Sequence, residues 1–267
     1  MIKLIASDLD GTLLQNGAQQ LTEEAKQIIS AIQKTGILFV AASGRQYPNL
    51  YRLFGELSQD MLFICENGAY TVRNGQEFDS IPMDRKRGIA LIEDICTREN
   101  CEVLLSGKNT SYLQPKTEKY LYHMRSVVKN NVQIVPDITK VEEPFLKISV
   151  CCFDGIALFE EYFQSRWSSQ FQAVVSDRLW MDFTAFGVNK GHALEKIQKA
   201  FKITKEETMV FGDNYNDIEM FAQAAYSYVM ENAVEKVKAY GTYRSVRVED
   251  TLKEILEKKR AYRKEKL

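Results

Sequence analysis

After the initial methionine the chain reads Ile2-Lys3-Leu4-Ile5-Ala6-Ser7-Asp8-Leu9-Asp10-Gly11-Thr12-Leu13. Residues 2–7 are a short apolar run with β-branched members, which predicts a strand. Asp8 follows it directly and so falls at the strand's carboxyl end, the edge where open α/β sheets bind ligands. Asp8 and Asp10 are two positions apart, so an extended backbone points both side chains the same way. Gly11 permits a tight turn and a close approach of backbone N–H groups to an anion.

Working outward, the first third alternates strand and helix. Thr22 reads as a helix N-cap with Glu23 and Glu24 in the first turn. Ala25, Ile28, Ile29 and Ile32 follow at helical spacing, and Gly36 closes the helix. Residues 37–42 and 62–65 are continuous apolar runs, as in strands buried on both faces of a parallel sheet. The last third repeats the pattern. It predicts helices over 191–201, 217–225 and 233–240, strands over 209–211 and 226–230, and a capping box from Thr204 to Glu207. Strand–helix–strand units with short links define an α/β fold with a doubly wound, Rossmann-like parallel sheet.

The middle third differs. Strands are expected at 103–105, 145–153 and 179–183, with helices over 85–99, 116–129 and 155–169. The strand runs alternate more, which suits a sheet with one exposed face. Residues 83–186 therefore read as an α+β domain inserted into a discontinuous core of 1–82 and 187–267. Its hinges fall near Ser80-Ile81-Pro82 and Phe186-Gly187-Val188.

Composition narrows the function. The apolar fraction of 45% and charged fraction of 27% are those of a globular protein. A formal net charge of -1 supplies no long-range pull toward nucleic acid or anionic lipid. No apolar stretch is long enough to span a membrane and no signal peptide is evident, so a cytoplasmic protein is expected. The cysteines Cys65, Cys96, Cys101, Cys151 and Cys152 are odd in number and fit no metal or redox spacing; reduced thiols are expected. Only two histidines, His123 and His192, are present, which disfavours a His-based zinc site or a Ser-His-Asp triad. The Lys/Arg-rich tail, 257–267, reads as a solvated helix end.

Three further polar elements join Asp8. Ser43-Gly44-Arg45 follows the second buried strand, where a hydroxyl and adjacent amides can hold a phosphate oxygen. Lys190-Gly191 opens the helix after the insertion. Gly212-Asp213-Asn214-Tyr215-Asn216-Asp217 follows a third buried strand, with Asn216 a candidate cap for the next helix. In a parallel sheet all three strand ends lie on one edge.

These motifs, their order, the insertion between Ser43 and Lys190, and Glu66-Asn67-Gly68-Ala69 ahead of it resemble the haloacid dehalogenase superfamily of phosphohydrolases. The resemblance is to the Cof-type members with a large α/β cap, and it spans essentially the whole chain. It implies a phosphatase of small phosphate monoesters, such as sugar phosphates, that needs Mg²⁺ and passes through an aspartyl-phosphate. Asp8 matches the nucleophile. Asp10 matches the general acid/base, with a backbone carbonyl for the metal. Asp213 matches a metal ligand, and Asp217 a second acid supporting the metal with Asp8. Leu9, Gly11 and Thr12 of the loop, Ser43, Gly44, Arg45, Lys190 and Asn216 match the phosphate-binding set. The chain departs from the family at Arg247-Val248-Glu249-Asp250-Thr251, where many relatives carry an acidic-glycine turn. A mutase that turns over a bisphosphate and a slow phospho-acceptor module remain rivals; retention of Asp10 speaks against the second. On the inserted domain, Lys108, Lys116, Lys119, Arg125, Arg178, Tyr112, Tyr120, Tyr122, Trp167 and Trp180 are the conspicuous candidates for substrate contact. Oligomeric state is not readable from the sequence.

Overall fold

Leu4 to Ser7 are all buried and make β1 (Leu4–Ser7), the strand that delivers Asp8. The computed structural model describes residues 1–265, with side chains to 259. After β1 come α1 (Glu23–Lys34), β2 (Leu38–Ala42), α2 (Tyr47–Phe54), β3 (Met61–Cys65), β4 (Tyr70–Arg73) and β5 (Gln76–Ser80). The middle of the chain holds α3 (Arg85–Cys96), β6 (Glu102–Ser106), β7 (Ser111–Leu113), α4 (Glu118–Tyr122), β8 (Val132–Ile134), β9 (Lys147–Cys151), α5 (Glu160–Trp167), β10 (Gln172–Asp177) and β11 (Trp180–Thr184). The last part holds α6 (Lys190–Phe201), β12 (Thr208–Gly212), α7 (Ile218–Phe221), β13 (Tyr226–Met230), β14 (Tyr243–Ser245) and α8 (Val248–Glu265).

The chain divides into two compact units. Met1–Gly44, Leu50–Asp79 and Asn189–Leu267 form one; Arg45–Asn49 and Ser80–Val188 form the other. The first is built on an eight-stranded sheet in the order β14-β13-β12-β1-β2-β3-β4-β5. From β14 to β3 neighbouring strands are parallel, and β3–β4 is antiparallel. Leu4, Ala6, Val40, Leu62 and Val210 meet Leu194, Ile197, Met220 and Phe221 of α6 and α7 on one face. On the other, α1 packs against β2 and α8. Both faces are therefore covered, which is why β1, β3 and β12 are buried along their length. The helix starts are set locally: the Thr22 hydroxyl accepts from the Ala25 amide at 3.0 Å, and the Glu207 carboxylate accepts from the Thr204 amide at 3.2 Å.

The second unit holds a mixed six-stranded sheet, β10-β11-β9-β6-β7-β8. Val103, Leu105, Ile148, Val150, Met181 and Phe183 line its apolar face and pack with Leu91, Ile92, Ile95, Phe163 and Trp167 of α3 and α5.

Several elements differ from expectation. The predicted helix over 233–240 is a turn followed by a 3-10 segment, Val237–Tyr240. Its start is diverted: the Val234 N–H donates to the Asp213 carbonyl at 3.2 Å, and the Val237 and Lys238 N–H groups both return to the Val234 carbonyl at 2.8 and 3.3 Å. The helix over 116–129 is α-helical only to Tyr122, continues as a π turn over His123–Val128, and stops at Lys129 with φ 57°. The helix over 217–225 shrinks to α7, and Asn214, not Asn216, caps its approach, accepting from the Tyr215 amide at 2.8 Å. Of the basic tail, only the helical backbone to Glu265 is described; its side chains from 260 on lie outside the described residues. No helix among the described residues is long and apolar enough to cross a membrane.

Candidate active site

The registers align the three strand ends. Ser7 pairs with Phe211 on one side and Ala41 on the other, so Asp8, Ser43 and Asp213 leave the sheet together. The Asp8 amide stays tied to the Phe211 carbonyl at 2.9 Å.

Beyond Asp8 the chain turns sharply. Leu14 N–H returns to the Leu9 carbonyl at 2.7 Å, Thr12 N–H to the same carbonyl at 3.1 Å, and Gly11 N–H to Leu14 at 2.9 Å. The Gly11 and Thr12 amides, expected to face an anion, are thus committed inside the loop. Their side of the loop serves Asp213 instead. The Thr12 hydroxyl donates to Asp213 Oδ1 at 2.6 Å. Gly11 has φ +91°, and a Cβ there would lie 2.3 Å from Asp213 Oδ2. Asn232 donates to the Gly11 carbonyl at 2.7 Å and holds the turn from the end of β13.

Lys190 is the first residue of α6, whose N-cap Asn189 accepts from the His192 amide at 2.7 Å. Its side chain is fully buried. Nζ lies 2.5 Å from Asp8 Oδ1 and 2.7 Å from Asp217 Oδ1. The other Asp217 oxygen accepts from the amides of Asp213 (3.0 Å) and Asn214 (3.1 Å). Gly212 is required beside it, because a Cβ would sit 2.6 Å from the Asp217 Cβ.

Asp8, Asp213 and Asp217 each bring a carboxylate oxygen within 4.8 Å of the others. Three carboxylates meet one ammonium, so two negative charges are left over when all are ionised. Burial pushes the Asp8 carboxyl well up from its ordinary range; Asp217 and Asp213 add to this, and Lys190 offsets only part. Asp213 is raised too, first by burial. For Lys190, burial opposes the charge, yet the Asp217 and Asp8 carboxylates outweigh it and the ammonium is held. A hard-oxygen, electron-rich cluster of this kind suits a hard divalent cation. Asp10 is not among these carboxylates; it lies exposed in the loop.

Ser43 is buried, with its carbonyl accepting from the Asn67 amide at 3.0 Å. Glu66, Asn67 and Gly68 all have positive φ (48°, 56° and 106°). This turn brings Asn67 close to Gly44, whose added Cβ would lie 3.2 Å from Asn67 Nδ2. Exposed Asn216 donates to Asn67 Oδ1 at 3.0 Å. Arg45, half-buried, falls with the second unit. Asn232 was not singled out from the sequence, although it follows a strand end as Asp8, Ser43 and Asp213 do.

Four of the conspicuous residues of the inserted unit make contacts within it. Tyr120 is buried and donates to the Val103 carbonyl at 3.0 Å. Trp167 donates to Asp94 at 2.7 Å, Tyr112 to Glu143 at 2.7 Å, and Lys116 to the Arg98 and Cys101 carbonyls.

A doubly wound sheet with a buried acidic cluster and one captive lysine at its carboxyl edge defines a hydrolase of the phosphatase class. Residues 5–251 match the model of the haloacid dehalogenase-like hydrolases, and the chain belongs to that family, in its Cof-type branch. It is 30% identical over 245 residues to the 5-amino-6-(5-phospho-D-ribitylamino)uracil phosphatase of Escherichia coli (strain K12), covering 91% of this chain and 90% of that one. A Bacillus subtilis (strain 168) protein of the same designation is 25% identical, covering 91% and 89%. A solved structure from Eubacterium rectale superposes with a TM-score of 0.86 at 27% identity, covering 95% of this chain and 99% of that one.

Proposed function

We propose that the enzyme hydrolyses small phosphate monoesters through an aspartyl-phosphate on Asp8. The observation that carries this is Lys190 Nζ at 2.5 Å from Asp8 Oδ1, with the Asp213 carboxylate in the same cluster. Lys190 fixes one Asp8 oxygen and leaves the other to attack phosphorus. The P–O bond to the leaving group breaks as the Asp8–phosphorus bond forms, and Asp10 gives the departing alkoxide its proton. Asp10 then takes a proton from the water that cleaves the phospho-enzyme. In this reading Ser43, Gly44, Arg45 and Asn216 bind phosphate oxygens, and Lys190 offsets the charge that builds on them. Asp8 and Asp213, supported by Asp217 and the Asp10 carbonyl, would hold Mg²⁺. When bound, that cation supplies the positive charge that lets an anionic carboxylate approach an anionic phosphate.

Residues 83–186 act in this reading as a cap that governs which ester enters. The two relatives named for a ribitylamino-uracil phosphate support a small phosphorylated metabolite as substrate. Five cysteines outside any disulfide support a reducing, cytoplasmic setting. The test is phosphate release from a panel of monoesters, with and without Mg²⁺, for the wild type and Asp8→Asn. Metal-dependent release that disappears in Asp8→Asn is expected. Release that survives the substitution would overturn the reading.

A further inference from the structure

Asn67 stands where three loops of the first compact unit meet. Its N–H donates to the Ser43 carbonyl at 3.0 Å, which ties its backbone to the loop after β2. Its side-chain amide lies against Gly44, where an added Cβ would meet Asn67 Nδ2 at 3.2 Å and Oδ1 at 3.3 Å. The same Oδ1 accepts from Asn216 Nδ2 at 3.0 Å, 149 residues away in sequence and in the loop after β12. The next residue, Gly68, is pressed against the start of α6. A Cβ on it would lie 2.3 Å from the carbonyl oxygen of Asn189, the residue before Lys190.

The turn that makes this junction is unfavourable in itself. Glu66, Asn67 and Gly68 have φ of 48°, 56° and 106° in succession. Side chains rarely adopt that region, and asparagine tolerates it better than most. Backbone of this kind persists where its surroundings over-determine it, and it collects at functional sites. Here it carries the Asn67 side chain from the end of β3 to the loop after β12. Asn216 is exposed, and among the described residues its side chain makes one hydrogen bond, the one to Asn67. That bond uses one N–H of the Asn216 amide and leaves the second N–H for another acceptor.

We propose that Asn67 is a positioning residue, anchored through its backbone to Ser43 and fixing with its side chain the direction in which the Asn216 amide meets the phosphoryl group. This rests on the phosphatase reading above, in which Ser43 and Asn216 bind phosphate oxygens. Asn67 itself touches no reacting atom. The phosphoryl group is common to every monoester, so the influence of Asn67 is independent of the leaving group.

The experiment is a double-mutant cycle in kcat/KM, run on one aryl and one alkyl phosphate. Asn67→Gly deletes the side chain and keeps the backbone, because glycine adopts positive φ freely. Asn216→Ala deletes the amide that Asn67 holds. Each single substitution should lower kcat/KM by about fivefold or more and equally on both esters, the effect of about one lost hydrogen bond. Once Asn216 is alanine, adding Asn67→Gly should cost less than about twofold, because residues that act through one another are not additive. A merely structural role for Asn67 would make the two losses multiply. Losses that multiply, losses that differ between the esters, or wild-type kcat/KM in Asn67→Gly would overturn the inference, while turnover by the wild type leaves the phosphatase reading standing. If the wild type releases no phosphate from either ester, that reading fails and takes this inference with it.

Discussion

Lys190 Nζ lies 2.7 Å from Asp217 Oδ1, and neither side chain has any exposed surface. The pair is a bolt between the start of α6 and the loop after β12. Breaking a buried pair by removing one partner strands the other charge and costs about 3–5 kcal/mol. Lys190→Ala should therefore lower the urea-unfolding free energy by that order. Adding Asp217→Asn to it should recover part of the loss, because the stranded carboxylate is gone. A Lys190→Ala protein as stable as wild type would contradict the arrangement.

Gly11 and Asp213 make a second close relationship. Gly11→Ala forces a Cβ to 2.3 Å from Asp213 Oδ2 at a φ of +91°, so the loop or the carboxylate must shift. Displacements near 1 Å at a reacting centre cost about a hundredfold in rate. Steady-state kinetics on an aryl phosphate should show a kcat/KM loss of about that size. Unchanged kinetics would mean that Asp213 is not held where the chemistry needs it.

The acidic cluster predicts a particular metal response. Asp213→Asn removes one negative charge and one oxygen ligand from the group of three. The Mg²⁺ concentration for half-maximal activity should rise by about tenfold or more, and added metal should restore part of the rate. A metal requirement unaltered by the substitution would place the cation elsewhere.

Glu24 in α1 pairs with Arg247, just before α8, and with Lys253 within α8, each at 2.5 Å. These hydrogen bonds, Lys253's first, hold its carboxyl at about 2 against an ordinary 4.5. A carboxyl depressed by folding stabilises the native state above its unfolded range, and that contribution is lost as pH falls through its folded value. The advantage of wild type over Glu24→Gln should be full near neutrality and decline from about 4.5 down to about 2. Glu24 is 39% exposed, so the effect is screened and shrinks with salt. Thermal midpoints of both proteins across pH and salt provide the check; a difference that grows on acidification would contradict the sign.

The chemistry-bearing strand ends were legible because burial on both faces writes itself as an uninterrupted apolar run. Such runs stop abruptly at Asp8, Ser43 and Asp213. The family resemblance then supplied roles that spacing alone could not. Less visible were the short strand β4 and the edge strand β5, joined by Asn74-Gly75, both at positive φ. That dipeptide is a hairpin signal, but the flanking residues of β5 are partly exposed and carry no clear alternation. The segment 233–240 misled because helical periodicity cannot register that the Val234 amide is claimed by the Asp213 carbonyl. On the inserted unit, large aromatics and lysines drew attention, and Tyr120, Trp167, Tyr112 and Lys116 are engaged within that unit.

The most direct test of the central claim is the covalent state of Asp8. Enzyme mixed with Mg²⁺ and an aryl phosphate, then quenched in acid within the first turnover, should carry one phosphoryl group on the peptide containing Asp8. Asp8→Asn treated in the same way should carry none. Active enzyme that turns over substrate with that peptide unmodified at every quench time, or with the phosphoryl group on another residue, would contradict the account.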